Sequence, residues 1–171
     1  MRYALLTAFL LTLAACDSGQ MEDEAPEIEE VLFTDADGTV LAYSHGDHWH
    51  GTLRTTAGQT TTLDAWLVME EHDHDDHDHD DHDHGDDDHG HSAPERDRWA
   101  RPSAQGMTLR ITSDNEAVAS WSGTGDVVTL ASSEAGAALT TVVVLDGTTT
   151  VFQSPSVGTI ADPAPPAIAS R

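Results

Sequence analysis

Leu139-Thr-Thr-Val-Val-Val-Leu-Asp-Gly-Thr-Thr-Thr-Val-Phe152 is the stretch on which the fold turns. Two runs dominated by Thr and Val, residues 139–145 and 148–152, flank Asp146-Gly147. β-Branched side chains suit a pleated, half-buried surface, and Asp-Gly is a strong signal for a two-residue hairpin turn. Working outward, the same signals recur at short intervals. Val31–Phe33 and Thr39–Tyr43 flank the turn cluster Asp35-Ala-Asp-Gly38, which predicts an N-terminal β-hairpin. Thr60–Val68 alternates, with Leu63, Ala65 and Leu67 on one face. Met107–Thr112, Ala117–Trp121 and Val127–Leu130 complete the set, and no segment between them sustains a helical period. Short strands at this spacing predict an all-β sandwich or barrel over residues 31–160. The Asp35–Gly38 cluster is a turn and not an EF-hand loop. The positions that need Gly and Glu are held by Val40 and Gly46.

The strands also carry a family resemblance. Ala57-Gly-Gln-Thr-Thr-Thr-Leu63 resembles the opening strand pair of bacterial Ig-like domains of the invasin and intimin type. Ile111-Thr-Ser-Asp-Asn-Glu-Ala-Val-Ala119 is similar to their S-S-D-x-x-V-A strand. Ala135-Gly136 followed by Thr140–Leu145 resembles their late A-G-x-x-x-[IV]-x-V pattern. The resemblance implies an Ig-like β-sandwich with a scaffold or binding role and no enzymatic chemistry.

Between the strands lies Glu70–His91, EEHDHDDHDHDDHDHGDDDHGH. It repeats HDHDD at residues 72–76 and 77–81, then HDHGD at 82–86. Such a run offers nothing apolar to bury and its like charges repel, so a disordered His/Asp-rich insertion is expected over residues 70–95. Imidazole suits zinc, copper and nickel, and flanking carboxylates add charge. His72, His74, His77, His79, His82, His84, His89 and His91 are therefore expected to form several weak, flexible metal sites. The tract resembles the His-rich loops inserted in zinc-binding subunits of ABC importers.

A second motif, His45-Gly-Asp-His48-Trp-His50, sits where a strand ends and the chain turns. Residues two apart in an extended segment share a face, so His48 and His50 can chelate one ion. A turn at Gly46-Asp47 would bring His45 to the same ion, leaving one tetrahedral position open. Asp47 is better placed to accept from an imidazole N–H than to ligate directly. The H-G-D-H-x-H string closely resembles the motif of the polyhistidine-triad surface proteins, which implies zinc on His45, His48 and His50. A partial overlap with the metallo-β-lactamase signature fails, because Tyr43 stands where its first histidine belongs. No nucleophile–base pair stands on a recognisable framework, so no enzyme activity is expected. Trp49, Trp66, Trp99 and Trp121 are expected in the core or at sheet edges, and Glu95–Arg101 forms a small basic island that would neutralise the tract or a sheet edge.

Residues 1–15 read as a signal peptide, with Arg2 ahead of an apolar run too short to span a bilayer comfortably. Leu13-Ala-Ala-Cys16 resembles the bacterial lipobox, which implies lipidation of Cys16. Residues 16–30 form an acidic tether, and residues 161–171 a Pro/Ala-rich tail. The expected location is the cell envelope, facing periplasm or exterior.

The chain has 31 acidic residues against 7 basic ones, all Arg, so nucleic acid and other phosphate-rich partners are repelled. Two readings follow. One is a metal-binding lipoprotein that buffers zinc, or copper or nickel, and passes it to an importer or receptor. The other is a surface adhesion or structural module in which metal only stabilises the fold.

Overall fold

The computed structural model describes residues 27–70 and 92–166. Twelve strands, built from the Val- and Thr-rich segments, form two sheets packed face to face. They are β1 (Ile28–Thr34), β2 (Val40–His45), β3 (His48–Gly51), β4 (Leu53–Thr56), β5 (Thr60–Met69), β6 (Trp99–Ala100), β7 (Met107–Ser113), β8 (Ser120–Ser122), β9 (Val127–Ala131), β10 (Gly136–Asp146), β11 (Thr149–Gln153) and β12 (Val157–Asp162). Among the described residues the only helical turns are short 3-10 segments at Arg96–Arg98 and Pro102–Gln105. Sheet A runs β3-β2-β1-β5-β9-β8, with β6 added beside β5. In sheet B, β10 pairs with β7, β11 and β12, and β4 joins β12 in parallel.

The core follows from period-two alternation. Sheet A contributes Val31, Phe33, Leu63, Ala65, Leu67, Val128 and Leu130, and sheet B answers with Leu53, Leu109, Val142, Val144 and Val157. Leu63, Ala65 and Leu67 are 2%, 0% and 0% exposed, the face that alternation assigned to them. Phe33 lies at the centre, stacked 6.0 Å from Trp49 and 5.9 Å from Trp121.

Sheet A also buries part of its outer face. Leu32, Tyr43 and Val68 form a second cluster there, under Val40, Trp66 and Trp99. Residues 92–106 return along this side, and their arginines pin them. Arg98 donates to the Met69 carbonyl and pairs with Glu29. Arg101 reaches Asp64 at 3.1 Å and the Asp126 carbonyl at 3.0 Å, with its guanidinium 3.6 Å from the Trp66 ring centroid. Arg96 donates to the Gly38 carbonyl at 2.7 Å. The basic island serves the sheet by fixing this segment against it.

Three sequence expectations shift. The last hairpin pairs Asp146 with Thr149, so its two-residue loop is Gly147-Thr148, one position later than expected. Only Gly147 takes positive φ, at 56°, and a loop that needs this at its first position places Gly there. Ala117–Trp121 is mostly a turn, because Val118 and Ala119 donate to the Asn115 carbonyl and strand β8 begins at Ser120. From this turn Val118 and Ala119 insert into the core. Finally, β1 starts at Ile28, inside the expected tether, and β12 runs to Asp162, into the expected tail. The signal peptide, Cys16 and the tract histidines His72 to His91 lie outside the described residues.

Candidate metal centre

Strands β2 and β3 form a hairpin at the edge of sheet A, pairing Tyr43 with His50, Ser44 with Trp49 and His45 with His48. Its two-residue loop is Gly46-Asp47, and Gly46 supplies the positive φ of 54°. Alternation then sorts the side chains. Tyr43, His45, His48 and His50 share one face, while Ser44 and Trp49 take the other. Trp49 fixes the hairpin to the sandwich. It stacks on Phe33, and its Nε1 donates to the Pro155 carbonyl at 2.8 Å. Trp49 is thus partly buried and packs against the core.

The three imidazoles are neighbours. Ring centroids are 4.7 Å apart for His48 and His50, 5.9 Å for His45 and His48, and 6.0 Å for His45 and His50. The Nε2 atoms of His48 and His50 approach to 3.0 Å. Two nitrogens bound to one tetrahedral ion at about 2.0–2.1 Å stand about 3.3 Å apart, so this pair is near chelating geometry. Among the described residues, no group of three or more His, Cys, Asp or Glu side chains is arranged to hold an ion as it stands. His48 and His50 are brought together, and His45 stands beside them with its Nδ1 turned to a carboxylate.

That carboxylate belongs to Glu30, which the sequence reading missed. The Nδ1 of His45 lies 2.6 Å from Glu30 Oε1. An ionised carboxylate only accepts, so Nδ1 carries the hydrogen, and in the neutral ring the lone pair is on Nε2. Asp47 does the same for His48, with 3.1 Å between Oδ1 and Nδ1, as the sequence suggested. The hydrogen bond from His48, and then its charge, hold the Asp47 carboxyl below its ordinary value. Carboxylates on Nδ1 that orient Nε2 are the usual outer support of a histidine metal site. Glu30 is also unusual in its burial. It is 7% exposed, and its Oε2 is buried with no hydrogen-bond partner. An unpaired buried acceptor costs about 1–3 kcal/mol, more when charged. The signal for Glu30 was its period-two spacing from Leu32, which puts it on the face of Tyr43 and His45 once β1 and β2 pair Leu32 with Tyr43.

No family model matches the chain, and no curated protein matches it. Among solved structures, domains 1–6 of the surface layer protein SbsC match with a TM-score of 0.36 and 14% identity. The match covers 87% of this chain and about a fifth, 21%, of that one. A likeness of that size does not bear on function.

Proposed function

We propose that the β2–β3 hairpin is a divalent-metal site and that the protein is a metal-binding lipoprotein of the cell envelope, buffering zinc and passing it to an importer or receptor. The observation that carries this reading is the 3.0 Å approach of the His48 and His50 Nε2 atoms, with His45 beside them. The orphaned oxygen of buried Glu30 supports it, since a cation near His45 would offset the cost of that charge. In this reading His45, His48 and His50 hold the ion, Glu30 orients His45, Asp47 orients His48, and the fourth tetrahedral position is open. Imidazole and carboxylate donors suit zinc, with copper and nickel as competitors.

The tract from His72 to His91 adds weaker sites that raise the metal concentration beside the ordered one, the logic of effective concentration. In the same reading the sandwich is of the Ig-like kind. Its β5-β9-β8 and β7-β10-β12 groups follow the B-E-D and C-F-G strand orders of that fold, with the N-terminal hairpin added beside β5.

Native mass spectrometry of protein isolated from membranes tests this directly. Zinc at one equivalent or more, together with a lipid-modified Cys16, is the expected result. Protein isolated without metal would point to the scaffold reading. Cys16→Ser is expected to release the protein from the membrane fraction, and equal retention would rule out the anchor.

A further inference from the structure

The hairpin and the point where the His/Asp tract rejoins the described chain meet at one side chain. Tyr43 is 7% exposed, in the covered cluster on the outer face of sheet A. Its ring stacks on the His50 imidazole, with centroids 4.7 Å apart and planes inclined by 23°. Its hydroxyl donates to the Ser92 carbonyl at 3.3 Å. Ser92 is the residue that follows His91 in the chain. A phenol hydroxyl keeps its proton at neutral pH and can donate. A packing role beside Leu32 and Val68 would be met by Phe, and among the described residues the hydroxyl adds the contact with Ser92.

We propose that Tyr43 is a positioning residue that joins the histidine hairpin to the root of the tract: its ring sets the plane of His50, and its hydroxyl sets the backbone at Ser92. This rests on the metal reading of the hairpin. An imidazole already held by stacking loses less freedom when an ion arrives, which favours binding. Any reorientation of His50 on loading is carried through the ring to the Tyr43–Ser92 hydrogen bond. The coupling is reciprocal, so conditions that order the chain at Ser92 also favour the loaded hairpin.

The test follows the backbone amide of Ala93 by NMR in the full chain while the first equivalent of zinc is added. The cobalt(II) ligand-field spectrum is read in parallel. In the native protein Ala93 should shift with the first equivalent. Tyr43→Phe should keep zinc affinity within about threefold and leave the cobalt spectrum unchanged, while Ala93 no longer responds. Tyr43→Leu should weaken the first zinc about 3- to 10-fold, the worth of one side chain no longer ordered in advance, and should alter the cobalt spectrum. An equal Ala93 shift in the native protein and Tyr43→Phe overturns the proposal, as does native affinity in Tyr43→Leu. His48→Ala separates the two levels. If it leaves the first zinc event intact, the metal reading of the hairpin falls and this proposal falls with it. If it abolishes that event while Ala93 behaves alike in native and Tyr43→Phe protein, only the role of Tyr43 is wrong.

Discussion

Sheet A turns toward solvent a face on which Leu32 and Val68 are fully buried beneath Trp66, Trp99 and the returning chain. The corresponding side of sheet B is open at Leu139, which is 53% exposed, although Val143 further along the same strand is buried. Strands of similar composition thus end in different surroundings, and the cause is the segment after the tract, fastened over sheet A by Arg96, Arg98 and Arg101. The covered side is also where Glu30, Tyr43 and the three histidines gather. An exposed sheet face could not hold a carboxylate at 7% exposure beside an imidazole. The cover and the candidate site belong together.

The largest effects should come from the core that both faces share. Phe33→Ala removes a fully buried ring stacked with Trp49 and Trp121. It is expected to cost about 3–5 kcal/mol in urea unfolding. Leu139→Ala, on the open face, should stay within about 0.5 kcal/mol. A comparable loss at Leu139 would mean that sheet B is covered as well.

A smaller effect tests the cover itself. Arg101→Ala removes the guanidinium over Trp66 together with the contacts to Asp64 and the Asp126 carbonyl. About 1–2 kcal/mol of stability should be lost, since the group is partly exposed. Trp66 fluorescence should become easier to quench. An unchanged quenching constant would show that the segment stays in place without Arg101.

The smallest effect concerns pH. The Asp126 carboxyl is held below its ordinary value, chiefly by the hydrogen bond from the Ser103 hydroxyl and next by the Ser103 backbone N–H. A depressed carboxyl contributes stability above its unfolded pKa, about 3.9, and loses it as pH falls through the lower folded value. Ser103→Ala should therefore lower the thermal midpoint slightly at pH 6, and the gap should close in acid. A gap that stays constant down to pH 2 would assign the effect to packing.

Much of the sandwich was legible because alternation and turn chemistry act locally. Leu63, Ala65 and Leu67 faced the core as their spacing required. Asp35 closed its turn by accepting from the Asp37 and Thr39 amides. The strands that escaped the reading depend on distant partners, such as β4, which exists by parallel pairing with β12, and β12 itself, which pairs with β10. Within the site, the local spacing of His48 and His50 was readable, as was the reach of Asp47 to its neighbour. Glu30 was not, because it meets His45 across two strands, and a Glu in an acidic stretch resembles any solvated charge until that pairing is known.

Zinc titration calorimetry on a chain whose eight tract histidines are replaced by Asn shows whether the hairpin, and not only the tract, binds metal. With His45, His48 and His50 intact, that chain should retain one tight zinc event, which weakens as pH falls below about 6.5, where protons compete for imidazole. Adding His48→Ala should abolish the event while the thermal midpoint of the apo protein stays in place. If the tract-substituted chain binds no zinc, or binds it equally well without His48, the hairpin is an ordinary sheet edge and the metal site lies elsewhere.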